Sequence, residues 1–141
     1  MTETFVVWRR VEFSAAHRLY RDDWTEAENR RVFGKCANAF GHGHNYVLDV
    51  AIEGTLDETT GMVVHFQEFK RVLAETVVEP LDHRHLNHDV PLLEGRLPTS
   101  EHLVRALWSA LERAFAGRPW KLHRLVLSST DRNRVEYAGP R

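Results

Sequence analysis

Two segments in which apolar residues recur at every second position constrain the fold of this chain more than any other feature. The first runs from Thr4 to Ser14, and the second from Tyr46 to Glu53. A period of two is typical of strands that bury one face, and β-branched and aromatic residues favour the same conformation. The apolar residues of that face are Phe5, Val7, Val11, Phe13, Tyr46, Leu48, Val50 and Ile52, and only Arg9 interrupts the series.

A change of period marks two helices later in the chain. Apolar residues spaced three and four apart predict a helix over His65–Val78. A second helix follows Thr99, a suitable N-cap, and ends near Gly117. Lys121–Leu127 and Arg134–Tyr137 predict two more strands. The order ββααββ indicates an α+β fold, with a four-stranded antiparallel sheet and two helices on one face.

The composition limits the class of protein. The 141 residues suit a single domain, residues 1–141, and 43% hydrophobic residues are enough for a core. Nineteen Lys and Arg residues balance twenty Asp and Glu residues, so a nucleic-acid partner is not expected. No apolar run approaches the roughly 20 residues of a membrane helix. Residues 1–10 lack an apolar signal segment and the single cysteine excludes an internal disulfide, so we expect a cytoplasmic protein.

Three of the nine histidines have positions that suggest a metal site. His42 and His44 are two residues apart at the start of the second strand, so their side chains share a face. His17 follows the first strand, and antiparallel pairing would place it beside them. Three imidazoles with an open fourth position are typical of catalytic zinc, although copper and nickel bind the same donors. The alternative is two histidines in a glycine-rich turn and one unrelated core histidine.

Arg18–Phe40 is a long polar segment with little periodicity, and long loops inside a small domain are often functional. It contains Cys36, and a nearby metal or imidazolium would lower the pKa of its thiol. Cys36 is therefore a candidate base or nucleophile. The alternative is a small buried hydrophobe, and the polar neighbours Lys35 and Asn38 argue against it.

Two other polar motifs contain candidate site residues. Asp82 precedes His83, and a carboxylate there would orient and stabilise a proton-transferring imidazole. A solvated polar loop is the alternative. Thr99 and Glu101 begin the second helix; capping is the stronger interpretation for Thr99, whereas Glu101 is a candidate for binding N–H groups of a ligand.

Seven segments together resemble the 6-pyruvoyl-tetrahydropterin synthase family, which includes the 6-carboxytetrahydropterin synthases of queuosine biosynthesis. They are FSAAHRL at 13–19, VFGKC at 32–36, GHGHNY at 41–46, GMV at 61–63, PLDH at 80–83, PTSEH at 98–102 and TDRN at 130–133. They follow the family's order over nearly the whole chain, and the C-x5-HGH spacing looks more like the pyruvoyl synthases. The resemblance implies the tunnelling fold (T-fold) and a homohexamer of two trimers, with active sites at subunit interfaces.

The resemblance also implies residue roles. Three histidines match the family's zinc ligands, a cysteine and an Asp–His pair match its catalytic residues, and a glutamate matches a residue near the pterin ring. In this chain they are His17, His42, His44, Cys36, Asp82, His83 and Glu101. One position departs, because Ser129 stands where the family usually has a glutamate that anchors the pterin. A neutral hydroxyl cannot make the charge-assisted contact of a carboxylate.

The implied activity is that of a zinc-dependent carbon–oxygen lyase that eliminates triphosphate from 7,8-dihydroneopterin triphosphate. The product would be 6-pyruvoyl-tetrahydropterin, for tetrahydrobiopterin biosynthesis, or 6-carboxytetrahydropterin, for queuosine. Ser129 favours an alternative, a relative acting on a different pterin- or purine-like substrate. A metal-binding assembly protein without catalysis is a third hypothesis, which the presence of Cys36, Asp82 and His83 opposes. The candidate cations for the triphosphate are Arg30, Arg31, Lys35 and Arg84.

Overall fold

The structure, a computed structural model, describes residues 2–141. In chain order its elements are β1 (Phe5–His17), α1 (Glu26–Phe33), β2 (His42–Gly54), α2 (Phe66–Leu73), α3 (Glu79–Leu81), β3 (Arg84–His85), α4 (Ser100–Ala114), β4 (Lys121–Ser128) and β5 (Arg134–Tyr137). A π-helical turn over Ala74–Val78 joins α2 to α3, and 3₁₀ turns cover Gly34–Ala37 and Pro91–Leu93. All four predicted strands and both predicted helices are present. Within residues 2–141, none of the helices combines the length and the apolar character that crossing a membrane requires.

The sheet differs from the predicted one at one edge. Its described strands number five and have mixed orientation, in the order β3-β1-β2-β4-β5. β1, β2, β4 and β5 pair antiparallel, as predicted. β3 lies parallel to the end of β1, where Arg84 pairs with Ala15 and His85 with Ala16. The prediction of a four-stranded antiparallel sheet was therefore wrong, because a two-residue strand is too short to show a periodic pattern.

One face of the sheet carries the hydrophobic core. Alternate residues of β1 and β2 point to this face, and the apolar sides of α2 and α4 cover it. Phe69 and Leu73 of α2 and Leu107 and Leu111 of α4 are fully buried there. The two predicted helices thus lie on one side of the sheet, and the other side carries polar contacts such as the Arg10–Asp49 ion pair.

The polar segment between β1 and β2 is folded. The hydroxyl of Thr25 caps α1 by accepting a hydrogen bond from the Glu28 N–H at 3.1 Å. Asn29 is the buried residue of this helix, so no apolar stripe revealed α1 in the sequence. The Asn29 side chain accepts from the Arg21 N–H at 2.7 Å and donates to the Arg21 carbonyl at 3.0 Å. These contacts order the segment that precedes the turn containing Cys36.

Candidate active site

The pairing of β1 with β2 brings the three predicted histidines to one end of the sheet. His17 lies directly opposite His42, and His44 lies opposite Ala15, so the imidazoles share the core face. The Nε2 atoms of His17 and His42 are 3.1 Å apart. The ring centroid of His44 is 5.3 Å from that of His17 and 5.5 Å from that of His42. The antiparallel pairing inferred from the sequence is confirmed.

The sulfur of Cys36 completes a compact group of metal-ligating atoms. Its Sγ lies 3.3 Å from Nε2 of His42, and donor atoms of His17, Cys36 and His42 all lie within 4.8 Å of one another. These three residues are placed to hold a metal ion. The sequence predicts Cys36 as a base beside a metal, whereas the structure places its sulfur among the donors themselves.

His17 is held in the orientation that a metal ligand needs. Its Nδ1 is 3.0 Å from the Pro98 carbonyl oxygen, so Nδ1–H donates there and Nε2 faces His42. Gly41 permits this packing: its φ is +72°, and a Cβ there would lie 2.6 Å from the His17 carbonyl oxygen. Burial lowers the pKa of His17 and of His44, which keeps both imidazoles neutral and able to bind a cation near neutral pH.

The donor spacing fits a small tetrahedral cation. Two imidazole nitrogens on one tetrahedral zinc ion are about 3.3 Å apart, because each Zn–N bond is about 2.0–2.1 Å. The His17–His42 separation is close to that value. Burial raises the pKa of the Cys36 thiol, so the sulfur keeps its proton near neutral pH unless a cation stabilises the thiolate. His44 has a buried Nδ1 without a hydrogen-bond partner in the described chain, and its place among the ligands stays a prediction.

Asp82 and His83 form the predicted carboxylate–imidazole pair although they are adjacent in the chain. Nδ1 of His83 lies 2.9 Å from Oδ2 of Asp82. This contact depends on the left-handed backbone of His83, whose φ of 62° is unusual for a residue other than glycine. Oδ1 of Asp82 accepts from the Ser14 N–H at 2.8 Å. That hydrogen bond, followed by the one from His83, lowers the pKa of Asp82 and keeps the carboxylate ionised.

A cavity of about 540 Å³ lies beside this pair. Its walls come from the end of β1, the start of β2 and the segment around β3, and they include His44, His83 and Arg84. The side chain of His83 is 83% exposed, so its imidazole is accessible to a molecule in the cavity. This cavity therefore brings the imidazole of His83, His44 and the cation Arg84 to one open space.

Comparison with known proteins agrees with this geometry. The 6-pyruvoyl tetrahydropterin synthase family matches residues 6–140. This chain belongs to that family.

Named relatives and a solved structure extend the match to the whole chain. The 6-pyruvoyl tetrahydrobiopterin synthase of Dictyostelium discoideum is 40% identical over 139 residues, which cover 99% of each protein. That of Pongo abelii is 39% identical over 133 residues, which cover 94% of this chain and 90% of the relative. The structure of Caenorhabditis elegans 6-pyruvoyl tetrahydropterin synthase superposes with a TM-score of 0.89 at 33% identity, covering 99% of this chain and 98% of that one. The tunnelling fold implied by the resemblance is confirmed.

In this member of the 6-pyruvoyl tetrahydropterin synthase family, the start of α4 lies beside the histidines. The hydrogen bond between His17 and the Pro98 carbonyl holds it there, and Glu101 lies in the first turn of the helix. Thr99 is the N-cap, because its hydroxyl accepts from the His102 N–H at 3.2 Å. The structure therefore assigns Thr99 a capping contact, and a role of Glu101 in ligand binding stays a prediction.

Ser129, the third predicted substrate residue, directly follows β4, whose Ser128 pairs with Val47 of β2. Extended by one residue, this register sets Ser129 opposite Tyr46, which is about 7 Å along the strand from His44. The Ser129 N–H donates to the Asn133 carbonyl at 3.1 Å, and a role of Ser129 in substrate binding stays a prediction.

Asn87 is a positioning residue that sequence reasoning missed. Its side-chain amide accepts from the Arg18 N–H at 2.7 Å and donates to the Arg18 carbonyl at 2.8 Å. It thereby fixes the chain immediately after His17. Its place in the polar run Asp82–Asp89 was the available signal, but a contact between such distant residues leaves no local pattern in the sequence.

Proposed function

We propose that this protein is a zinc-dependent 6-pyruvoyl-tetrahydropterin synthase that acts on 7,8-dihydroneopterin triphosphate and eliminates its triphosphate. The observation that carries the proposal is the convergence of His17, Cys36 and His42 at the end of the sheet that also holds the Asp82–His83 pair, in a member of this family. The relatives named above support the pyruvoyl product and a place in tetrahydrobiopterin biosynthesis.

The zinc ion would be held by His17, His42 and His44, the ligands that the resemblance implies. When bound, the cation polarises the hydroxyl groups of the substrate side chain and acidifies the adjacent C–H bonds. The Pro98 carbonyl holds the Nδ1–H tautomer of His17. The donor spacing supports His17 and His42 as ligands, and burial lowers the pKa of His17 and of His44, which favours their neutral, metal-binding form.

Cys36 and His83 would transfer the protons. The Cys36 thiolate accepts a carbon-bound proton as general base, and its place at the metal donors brings it to the reacting side chain. His83 exchanges a proton at Nε2, since its Nδ1 is engaged by Asp82. Asp82 holds that tautomer and stabilises the imidazolium form. Cys36 is a free thiol, which suits a cytoplasmic location where thiols stay reduced.

The triphosphate would lie against cations near the cavity. Arg84 lines the cavity together with His83, which supports it over the other three candidates. Arg31 and Arg30 pair with carboxylates one turn earlier on α1, at 2.7 and 3.5 Å, and their charges are partly neutralised. Lys35 adjoins Cys36 and is the second choice.

We further propose a homohexamer of two trimers in which neighbouring copies complete each site. Residues 5–13 of β1 pair only with β2 in the described chain, which leaves a strand edge for another subunit. Sedimentation of the purified protein as a monomer would reject this assembly.

Ser129 favours a second candidate function, in which the same site acts on a different pterin- or purine-like ring. Its hydroxyl lies 3.5 Å from the Asn133 carbonyl oxygen and offers no charge to a guanidine-like edge. Formation of 6-carboxytetrahydropterin, for queuosine, is the corresponding alternative for the product. In both alternatives the histidine cluster still binds the metal ion, and only the substrate or the product differs.

The deciding experiment is incubation of the zinc-loaded protein with 7,8-dihydroneopterin triphosphate. We expect equal amounts of triphosphate and 6-pyruvoyl-tetrahydropterin, measured by phosphate analysis and chromatography. Absence of triphosphate release would reject the proposed substrate, and a carboxy product would reject the pyruvoyl assignment. His65→Ala is the matched control, since His65 lies two residues after Val63, which packs near Gly54 at the far end of β2 from the histidines.

A further inference from the structure

The position of the Cys36 sulfur is closer to that of a metal ligand than a general base requires. On a tetrahedral zinc ion, a thiolate sulfur and an imidazole nitrogen are about 3.6 Å apart, given bonds of about 2.3 and 2.0–2.1 Å. The observed distance from Cys36 Sγ to His42 Nε2 is 3.3 Å, and that from His17 Nε2 to His42 Nε2 is 3.1 Å. Both separations lie within about 0.3 Å of the tetrahedral values.

Two hydrogen bonds hold the turn that carries this sulfur. The Cys36 carbonyl accepts from the Leu19 N–H at 2.7 Å, and the Ala37 carbonyl accepts from Nε of Arg18 at 3.2 Å. Both donors directly follow His17 in the chain. The thiol-bearing turn and the histidine-bearing strand are thus tied together, so their relative position does not depend on a mobile loop.

We propose that Cys36 is a ligand of the metal ion before substrate binds, and that the substrate displaces it and so converts the ligand into the base. Cys36 then joins His17 and His42 as a ligand in the resting protein, where the family resemblance implies histidine ligands alone. As a ligand, Cys36 would have released its S–H proton to solvent; once displaced by the substrate, its thiolate would accept the carbon-bound proton. The second half of this proposal rests on the proposed function, whereas the first half does not.

The chain contains a single cysteine, so spectroscopy of the cobalt-substituted protein can test ligation without ambiguity. A thiolate bound to Co²⁺ gives an intense near-ultraviolet charge-transfer band, and only Cys36 can supply it. We expect this band in the wild-type protein loaded with one Co²⁺ per chain. It should be absent from Cys36→Ser and Cys36→Ala, both still carrying cobalt by elemental analysis. A wild-type protein that binds one Co²⁺ per chain without the band would overturn the proposal.

Addition of 7,8-dihydroneopterin triphosphate tests the displacement. We expect the band to disappear within the first turnover, followed by stopped-flow absorption, and to return when the substrate is exhausted. A band that persists unchanged through turnover would overturn the conversion of ligand into base. The two proposals fail separately. A band without triphosphate release rejects the proposed function but supports ligation by Cys36. Triphosphate release without a band supports the proposed function but rejects ligation by Cys36.

Discussion

The two ends of the β1–β2 pair share one geometry and carry out different tasks. Towards the middle of the strands, Phe13 lies opposite Tyr46, and their rings stack with centroids 5.1 Å apart. At the end of the same face, His17 lies opposite His42 with ring centroids 4.9 Å apart. The strand register brings side chains into contact in both regions, so side-chain chemistry alone decides whether the contact fills a core or binds a cation.

The difference shows how a small domain buries polar groups. At the histidine end, the Pro98 carbonyl accepts from Nδ1–H of His17 and the Cys36 sulfur lies against Nε2 of His42, whereas Nδ1 of His44 is buried without a partner in the described chain. The apolar end needs none and is covered by α2 and α4. Substitutions at the apolar end should therefore change stability, and those at the histidine end should change chemistry.

The largest effect is expected for His42→Ala. Loss of this ligand should remove the metal and lower turnover by about 10³-fold or more, because a catalytic cation contributes several kcal/mol to the transition state. Elemental analysis and triphosphate release measure both quantities. His65→Ala should keep metal and activity. A His42→Ala variant that retains one metal ion per chain would show that His42 is not required for metal binding.

Cys36→Ala should follow, with a fall in turnover of about 10²–10⁴-fold, the usual contribution of a general base. We expect the metal to remain bound because three imidazoles are still present. Metal content and single-turnover rates on the same preparation separate the two effects. Full activity of this variant would exclude Cys36 as the base.

Leu48→Ala tests the apolar end. Leu48 is fully buried in the core, and its truncation should lower the free energy of unfolding by about 2–5 kcal/mol. Denaturant unfolding of the metal-free protein measures this loss. The folded variant should bind metal with unchanged stoichiometry and keep its turnover rate. Loss of metal from the folded variant would show that the two ends are not separable.

Asp82→Asn should lower turnover by about 10–100-fold, the range typical for loss of a carboxylate that orients a functional imidazole. The amide oxygen still accepts from the Ser14 N–H, but the amide N–H₂ would favour the opposite tautomer of His83. Metal content and the midpoint of thermal unfolding should change little. An unchanged turnover rate would remove His83 from the proton-transfer scheme.

Tyr46→Phe, at the boundary between the two ends, should have the smallest effect. The Tyr46 hydroxyl is buried without a hydrogen-bond partner among residues 2–141, and burial raises its pKa, so it stays neutral. Its removal leaves the stack with Phe13 intact and should change the free energy of unfolding by less than about 1 kcal/mol. A larger loss would mean that the hydroxyl has a partner and that the polar end extends further along β2.

The sequence alone was sufficient for those features that depend on neighbouring residues. The period of two predicted β1 and β2 and their buried face, and the spacing of His42 and His44 placed both imidazoles on it. Thr99 was recognised as an N-cap because capping involves residues three apart. Motif order also indicated the family, since the quoted segments span most of the chain.

Tertiary structure decided the features that depend on how distant segments meet. β3 joins the sheet through two residues. Asp82 contacts His83 where the backbone of His83 is left-handed. The sulfur of Cys36 lies among the donors because its turn is hydrogen-bonded to the residues that follow β1. The hydrogen bond that orients His17 comes from Pro98, 81 residues away in the chain. Periodicity describes only residues within a few positions of one another, whereas these contacts arise from long-range closure of the chain, which no local pattern encodes.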